Sequence, residues 1–481
     1  MDKRFSWFRQ APEPRQPRPQ GIRGLLQGLR LPPASEWSVE RVREEIFLRL
    51  NREDIQAIAT LFLAITAVML MTNFMVRLQS RTIFGPHLGA DFATFYNAGQ
   101  IFNSHPPEKI YDAELQRQFS EALFPDNRLE QSYLPYSRAP FLVGIFSLFG
   151  RMNYTFAYLL WIVMAGALYF FGFRLLWGSL KSMEQEERGT ALLLSVSFMP
   201  FIVECLAGGQ TSAIGFFSLA AAIAFERRNS LRLSGFTLSL MCYQPALLIF
   251  ILPMLIVTKR TRTLDGFLLG GALWGGLSWL LVGKAGCIQY AKVLLSYLAH
   301  SIGEASDFKL WKYVDLNTFL RLLLGERGAW ALIISAGVFL AAALTLIRFW
   351  WGAERRSKNY QSLLWSATIT WTLVAGLFVG IYDSTLIVIS LLLTAHFFYS
   401  RAGEEEEPLP PDFQILLVLI YLLPWVTQSS AQWIGVQLYS PALLCLGAYQ
   451  FRLLKQARLP RPKPAPQAPE KSPMNDSNDD W

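Results

Sequence analysis

Apolar residues run along this chain in blocks of about 17–25, the length of helix that crosses the hydrocarbon core of a bilayer. Candidate spans cover 57–77, 139–150 (a short one), 154–177, 190–206, 209–226, 233–257, 264–282, 329–351, 361–381, 383–400, 413–427 and 433–452. If all twelve cross, both termini are cytoplasmic, but Glu226-Arg227-Arg228 then falls outside and Gly208-Gly209-Gln210 on the inner face. Lys and Arg stay on the cytoplasmic side, so that arrangement is uneasy. If 139–150 and 233–257 turn back as re-entrant hairpins, ten crossings remain and every basic loop is inside. Pro245, in the middle of 233–257, suits such a break, because non-helical backbone is tolerated at depth where protein covers it. Both arrangements make the loops 78–138 and 283–328 external and put Tyr382-Asp383 at an external turn.

The pattern predicts an all-α polytopic membrane protein with a membrane domain over 57–452. Residues 1–56 form a basic tail: the first 30 hold seven Lys/Arg, two Asp/Glu and Pro12, Pro14, Pro17 and Pro19, a composition that buries no core. Within it, Val39, Val42, Ile46 and Leu50 recur at helical spacing and predict a short helix on the membrane surface. The segment 453–481 is a second Pro-rich tail, and both tails are expected to be cytoplasmic and disordered.

Composition removes several classes. With 52% hydrophobic and 17% charged residues, against about 25% charged in soluble chains, a soluble enzyme is excluded. The net charge of +8 lies in tails and short loops instead of one patch, so no nucleic-acid partner is implied. Cys205, Cys242, Cys287 and Cys445 form no CxxC and the four histidines are scattered, which supports neither a disulfide framework nor a metal site.

The external loops carry the candidate chemistry. Loop 78–138 has five Lys/Arg against seven Asp/Glu, the reverse of the tails, and 61 residues is long for a mere connection. Phe92, Phe95, Tyr96 and Gly99 share one helical face, as do Leu115, Phe119 and Leu123. Two amphipathic helices joined by Ser104-His105-Pro106-Pro107 are therefore expected to rest on the outer surface. Asp91 begins the first of them. It reads as a helix cap or as a general base at the membrane edge. Tyr111-Asp112 opens the second, where an acidic first turn is also expected. Arg138 is a snorkelling anchor or a partner for a lipid phosphate. Gly208-Gly209-Gln210 is a tight turn in which Gln210 is placed to bond a sugar. In the second loop His300, Lys309 and Lys312 stand among mixed charges, and the two lysines flank Trp311 as a contact to phosphate and acyl chain requires. Asp383 precedes an apolar run and is either a cap or a functional acid.

The order of four short motifs resembles glycosyltransferase family eighty-seven, the polyprenyl-phosphate-mannose-dependent mannosyltransferases. They are Asp91-Phe92 with Tyr96 and Ala98, followed by Tyr111-Asp112; Tyr136 to Pro140, then Ala157 and Trp161; Gly209-Gln210; and Tyr382-Asp383-Ser384-Thr385-Leu386. The family often has Tyr-Pro-Pro where this chain reads Arg138-Ala139-Pro140, and Lys-Pro where it reads Gln244-Pro245. The resemblance implies a GT-C-type fold of about 10–12 transmembrane helices in a bacterial cytoplasmic membrane, with an outward-facing active site and Asp91 as catalytic base. It implies a polyprenyl-phosphate-linked sugar donor, a lipid or glycan acceptor, an inverting single displacement, and no cofactor or metal, with Arg138, Lys309 or Lys312 offsetting the phosphate charge. The competing expectation is a secondary transporter or lipid flippase, which requires a charged cavity at the membrane midplane; a transferase requires a groove containing Asp91 under loop 78–138. A third is an assembly partner that keeps the fold without activity.

Overall fold

The computed structural model describes residues 52–75, 89–124, 135–180, 185–302, 309–325, 328–401 and 409–458. Among them the chain is helical, with one isolated bridge between Tyr313 and Gly380. The surface helix expected over Trp37 to Leu50, both tails and the 125–134 end of the first loop lie outside the described residues.

The helices in chain order are α1 (Arg52–Met75), α2 (Ala90–Ser104), α3 (Ala113–Leu123), α4 (Val143–Phe149), α5 (Tyr154–Trp177), α6 (Gln185–Val196), α7 (Ser212–Arg227), α8 (Leu231–Leu238), α9 (Ile251–Val257), α10 (Thr261–Ile302), α11 (Leu316–Leu324), α12 (Gly328–Trp350), α13 (Lys358–Ala375), α14 (Ile387–Tyr399), α15 (Pro411–Leu422), α16 (Pro424–Ile434) and α17 (Tyr439–Arg458). Five described helices are long and apolar enough to cross a bilayer, and seven if each of two bent pairs is one span. The bent pairs are α6 with the π-helical turn Pro200–Ala207 (51°) and α15 with α16 (61°), each broken just ahead of a proline. The remaining expected spans are shorter or carry more polar side chains. Helix α13 is buried through a hydroxyl cluster in which Gln450 Nε2 donates to Ser366, Ser390 and Thr394. Lipid offers no hydrophobic drive between helices, so such bonds and close packing hold the bundle.

Two of the expected spans, 139–150 and 233–257, are short or broken helices. Segment 139–150 stays beside α2 throughout: Phe95 stacks on Phe146 at 5.0 Å and Phe92 meets Phe149 edge-on at 6.0 Å. The backbones nearly touch, since a Cβ on Gly99 would lie 2.0 Å from the Phe146 carbonyl oxygen. Segment 231–257 leaves and returns to one end of the bundle, where Arg260 pairs with Glu226, and breaks at Gln244-Pro245 at the other. A twelve-crossing chain would separate Gln210 from Asp91 by the whole membrane. Gln210 Nε2 in fact donates to Asp91 Oδ2 at 2.9 Å. The arrangement in which both segments turn back accommodates that bond.

The two loop helices form as their pattern predicts, with one correction. Helix α3 lies exposed, with Arg117 paired to Glu114 at its surface. Helix α2 is not laid on the surface but packed into protein: Phe92, Phe95, Tyr96, Ala98 and Ile101 are buried against α4 and the α5 aromatics Tyr154, Tyr158 and Trp161. Its apolar face is covered by aromatic side chains of the bundle.

Candidate active site

Helix α2 starts without a side-chain cap. Gly89, in the left-handed region at φ 69°, is the capping residue. The orphan amides of the first turn, Asp91 N and Phe92 N, both donate to the Gly208 carbonyl at 3.1 Å, while Gly89 N donates to the Ala207 carbonyl at 3.0 Å. Gly209, at φ 80°, lets that turn approach, since a Cβ there would sit 2.5 Å from Phe92 Cβ. Tyr158 and Trp161 of α5 donate to the Ala207 and Gly209 carbonyls at 2.6 and 3.0 Å and complete the clamp. The cap reading of Asp91 is therefore not what this helix uses: a distant backbone carbonyl does that work, and the carboxylate is released to face a cavity.

That carboxylate is 6% exposed and opens a chain of polar contacts. Its Oδ1 is 3.7 Å from Lys312 Nζ and its Oδ2 accepts from Gln210. Gln210 Oε1 accepts from Arg138 Nη2 at 3.3 Å; Arg138 Nη1 donates to Gln244 Oε1; Gln244 Nε2 donates to Asp383 Oδ2 at 2.7 Å. Asp383 is fully buried and also accepts from Gly380 N at 3.2 Å, so its cap role and its place in the network coexist. The Arg138 guanidinium lies 5.6 and 5.8 Å from the Tyr382 and Tyr243 ring centroids. Burial opposes its charge, yet Tyr382, Asp383 and Tyr243 raise its pKa above the usual value.

Lys312 arrives on a stitched segment. Val314 N donates to the Val379 carbonyl at 2.9 Å, Gln437 Nε2 to the Tyr313 carbonyl at 3.0 Å and Ser440 to the Val314 carbonyl at 2.8 Å. Asp315 caps α11 through Thr318 N and also accepts from Val379 N at 3.2 Å; burial, opposed by these bonds, pushes its carboxyl up to about 6. For Lys312, burial lowers the pKa but the Asp91 and Glu204 carboxylates overcome it, so the group stays charged. Lys309, half-buried, is held down to about 8 by burial and by Lys312, and its Nζ has no hydrogen-bond partner among the described residues.

A cavity of about 220 Å³ is lined by the polar side chains of Asp91, Arg138, Gln210, Gln244, Lys312 and Tyr382 together with the apolar Phe95, Pro245, Leu294, Leu377 and Phe378. Phe378 holds φ 51°, a strained value for a bulky residue, with its ring edge-on to Tyr313 at 5.3 Å. Among the described residues no three His, Cys, Asp or Glu side chains are grouped to hold a metal ion.

Five of the residues named from sequence do not line the cavity: Lys309, just before Lys312 in sequence, Asp383, behind Gln244 in the network, and three that stand further apart. Tyr96 donates to the Met152 carbonyl at 2.7 Å, and Tyr111 to the Arg138 carbonyl at 2.8 Å while stacking on Tyr290 at 5.8 Å, so both brace the site from outside. Asp112 caps α3 through Leu115 N and pairs with Lys109, which holds its carboxyl below the usual range. Arg138 does not snorkel, being buried. The side chain of His300 falls outside the described residues. Sequence reading passed over Gln244, Tyr382 and Glu204 as site residues; only the polar pair Gln244-Pro245 inside an apolar block signalled the first.

The model of glycosyltransferase family 87 matches residues 138–381, half of the chain. The chain belongs to that family. It is a membrane glycosyltransferase, and Arg138, Gln210, Gln244, Lys309 and Lys312 fall within the matched span, with Asp91 and Asp383 on either side of it. No curated protein and no solved structure matches the chain.

Proposed function

We propose that this glycosyltransferase moves a hexose, mannose by resemblance, from a polyprenyl-phosphate donor to a lipid or glycan acceptor on the outward face of a bacterial cytoplasmic membrane, with both termini inside. The observation that carries the reading is a buried carboxylate, Asp91, set beside a cation in a cavity that apolar side chains also line. A donor of this class has an anionic phosphate next to a hydrocarbon tail, and the cavity lining offers both the cations Arg138 and Lys312 and the apolar Leu294, Leu377 and Phe378. Lys309, beside Lys312 and unpartnered, is a further cation for the phosphate.

In the proposed step the acceptor hydroxyl attacks the anomeric carbon in line, and its proton passes to Asp91. The bond from that carbon to the phosphate oxygen breaks, its electron pair leaves with the phosphate, and the cations offset the charge. One displacement inverts the anomeric centre. Gln210 fixes the Asp91 carboxylate, and the Arg138–Gln244–Asp383 chain holds the guanidinium in place.

Transfer from radiolabelled polyprenyl-phosphate-mannose, in membranes carrying equal amounts of wild type and Asp91→Asn with equal melting behaviour, tests this. The expected result is a loss of about 100-fold or more in the variant. Full activity in Asp91→Asn would move the base elsewhere. A wild type that transfers only from nucleotide sugars would overturn the donor assignment. The position of Asp91 in a cavity beside the first loop, where a transferase requires it, supports this reading over a transporter.

A further inference from the structure

The end of the bundle remote from Asp91 carries a second, cationic cavity. Tyr154, at the start of α5, bonds to the Gly89 carbonyl beside the catalytic helix. Arg174 lies 20 residues further along the same helix, about 30 Å away at 1.5 Å per residue, which is one hydrocarbon thickness. There a space of about 640 Å³ opens, lined by Arg174 of α5, Arg188 of α6 and Arg228 just beyond α7, with Leu168, Phe171 and Phe217 on its apolar side. Phe171 is itself exposed, facing where acyl chains lie.

A single arginine at a helix end is an ordinary anchor. Here three helices bring one each to the same space. Among the described residues no carboxylate pairs with any of the three. Of the nearby acids whose side chains are described, both are engaged elsewhere: Glu187 accepts from the Tyr399 hydroxyl, and Glu226 holds Arg260. Arg227 turns inward to Ser362 and His396 and takes no part. A smaller version recurs at this end of the bundle, where Arg348 and Arg458 border a cavity with Leu344, Ile347 and Trp351.

We propose that the Arg174–Arg188–Arg228 cavity binds the headgroup of an anionic glycerophospholipid, with the acyl chains against Leu168, Phe171 and Phe217. Guanidiniums bond phosphate oxygens in pairs, and basic pockets between membrane helices on the cytoplasmic side suit such headgroups. The site is separate from the proposed chemistry and stands whether or not that reading does.

The test uses the full chain in phosphatidylcholine nanodiscs titrated with phosphatidylglycerol or cardiolipin, with bound lipid counted by native mass spectrometry and melting followed in parallel. Wild type is expected to retain the anionic lipid at least about tenfold over phosphatidylcholine. Arg174→Gln/Arg188→Gln/Arg228→Gln is expected to lose that preference while keeping sugar transfer. Should the triple variant fail to fold, Arg228→Gln alone, on an exposed residue, is expected to weaken retention severalfold. Unchanged retention in the variants, or equal retention of both lipids, would overturn the proposal. So would stabilisation by millimolar inorganic phosphate equal to that from the lipid, since it would reduce the site to one for a bare anion.

Discussion

Arg138 and Gln244 are two of the three positions, with Ala139, at which this chain departs from the pattern it resembles, and they touch. Where the family often has a lysine before the proline, Gln244 stands; the positive charge comes instead from Arg138, bonded to that glutamine and close to Asp383. These two departures thus read as one exchange of a cation across a contact between residues 106 apart in sequence. Removing one partner of a buried charge network leaves the other uncompensated, at about 3–5 kcal/mol. Arg138→Gln alone should therefore melt well below wild type. Arg138→Gln/Gln244→Lys should recover much of the loss, a non-additivity read from the double-mutant cycle. Additive losses would mean that the two positions are independent.

Also at residue scale, Lys309 makes a pH prediction. Its pKa is held to about 8, so its charge is present below that pH and lost as pH rises through it. If that charge meets the donor phosphate, kcat/KM should fall on a limb near pH 8, because kcat/KM reports the free enzyme. The limb should be weaker in kcat, since bound phosphate keeps the lysine protonated. Lys309→Arg should move the limb above the measurable range.

Among elements, the turn that grips α2 is the sensitive one. Gly209→Ala places a Cβ 2.5 Å from Phe92 Cβ and strains a φ of 80°. It should cost about 1–3 kcal/mol and most of the transfer activity. Gly166→Ala, in the middle of α5 with nothing within 4 Å of the new Cβ, should be neutral or slightly stabilising in the same melting assay. The same turn shows where sequence reading reaches its limit. An aspartate at the start of a helix is a natural cap by local rules, and only a carbonyl more than a hundred residues away took that job from it. The amphipathic faces of α2 and α3 were readable because periodicity is local. The fit of α2 under α4 was not, because it depends on Gly99 and Phe146 coming within contact across a loop. The sequence also presented 233–257 as one apolar block, since length and hydropathy cannot tell a span from a hairpin whose apex, Gln244, is polar for a reason found in Arg138 and Asp383.

For the whole molecule, the decisive property is sidedness. The cavity with Asp91 and the arginine-lined cavity lie at opposite ends of α5, and the exposed Ser104 and Arg262 belong to those two ends. In a variant freed of its four native cysteines, Ser104→Cys should react with an impermeant maleimide applied to intact cells. Arg262→Cys should react only after permeabilisation. Labelling of both from one side would refute this sidedness, since the ten- and twelve-crossing arrangements alike put Ser104 outside and Arg262 inside.

The bonds that hold the start of α2 run from backbone to backbone: Gly89, Asp91 and Phe92 amides to the Ala207 and Gly208 carbonyls. Every amino acid supplies a carbonyl, so these three bonds place no demand on the side chain at 207 or 208, while Tyr158 and Trp161 hold the turn from behind. In a saturation scan read by sugar transfer, position 207 should accept many small replacements, while 209 accepts almost none and 91 none. An enzyme anchored this way is free to redraw the walls around its reacting group generation by generation, changing what it glycosylates without having to relocate the aspartate.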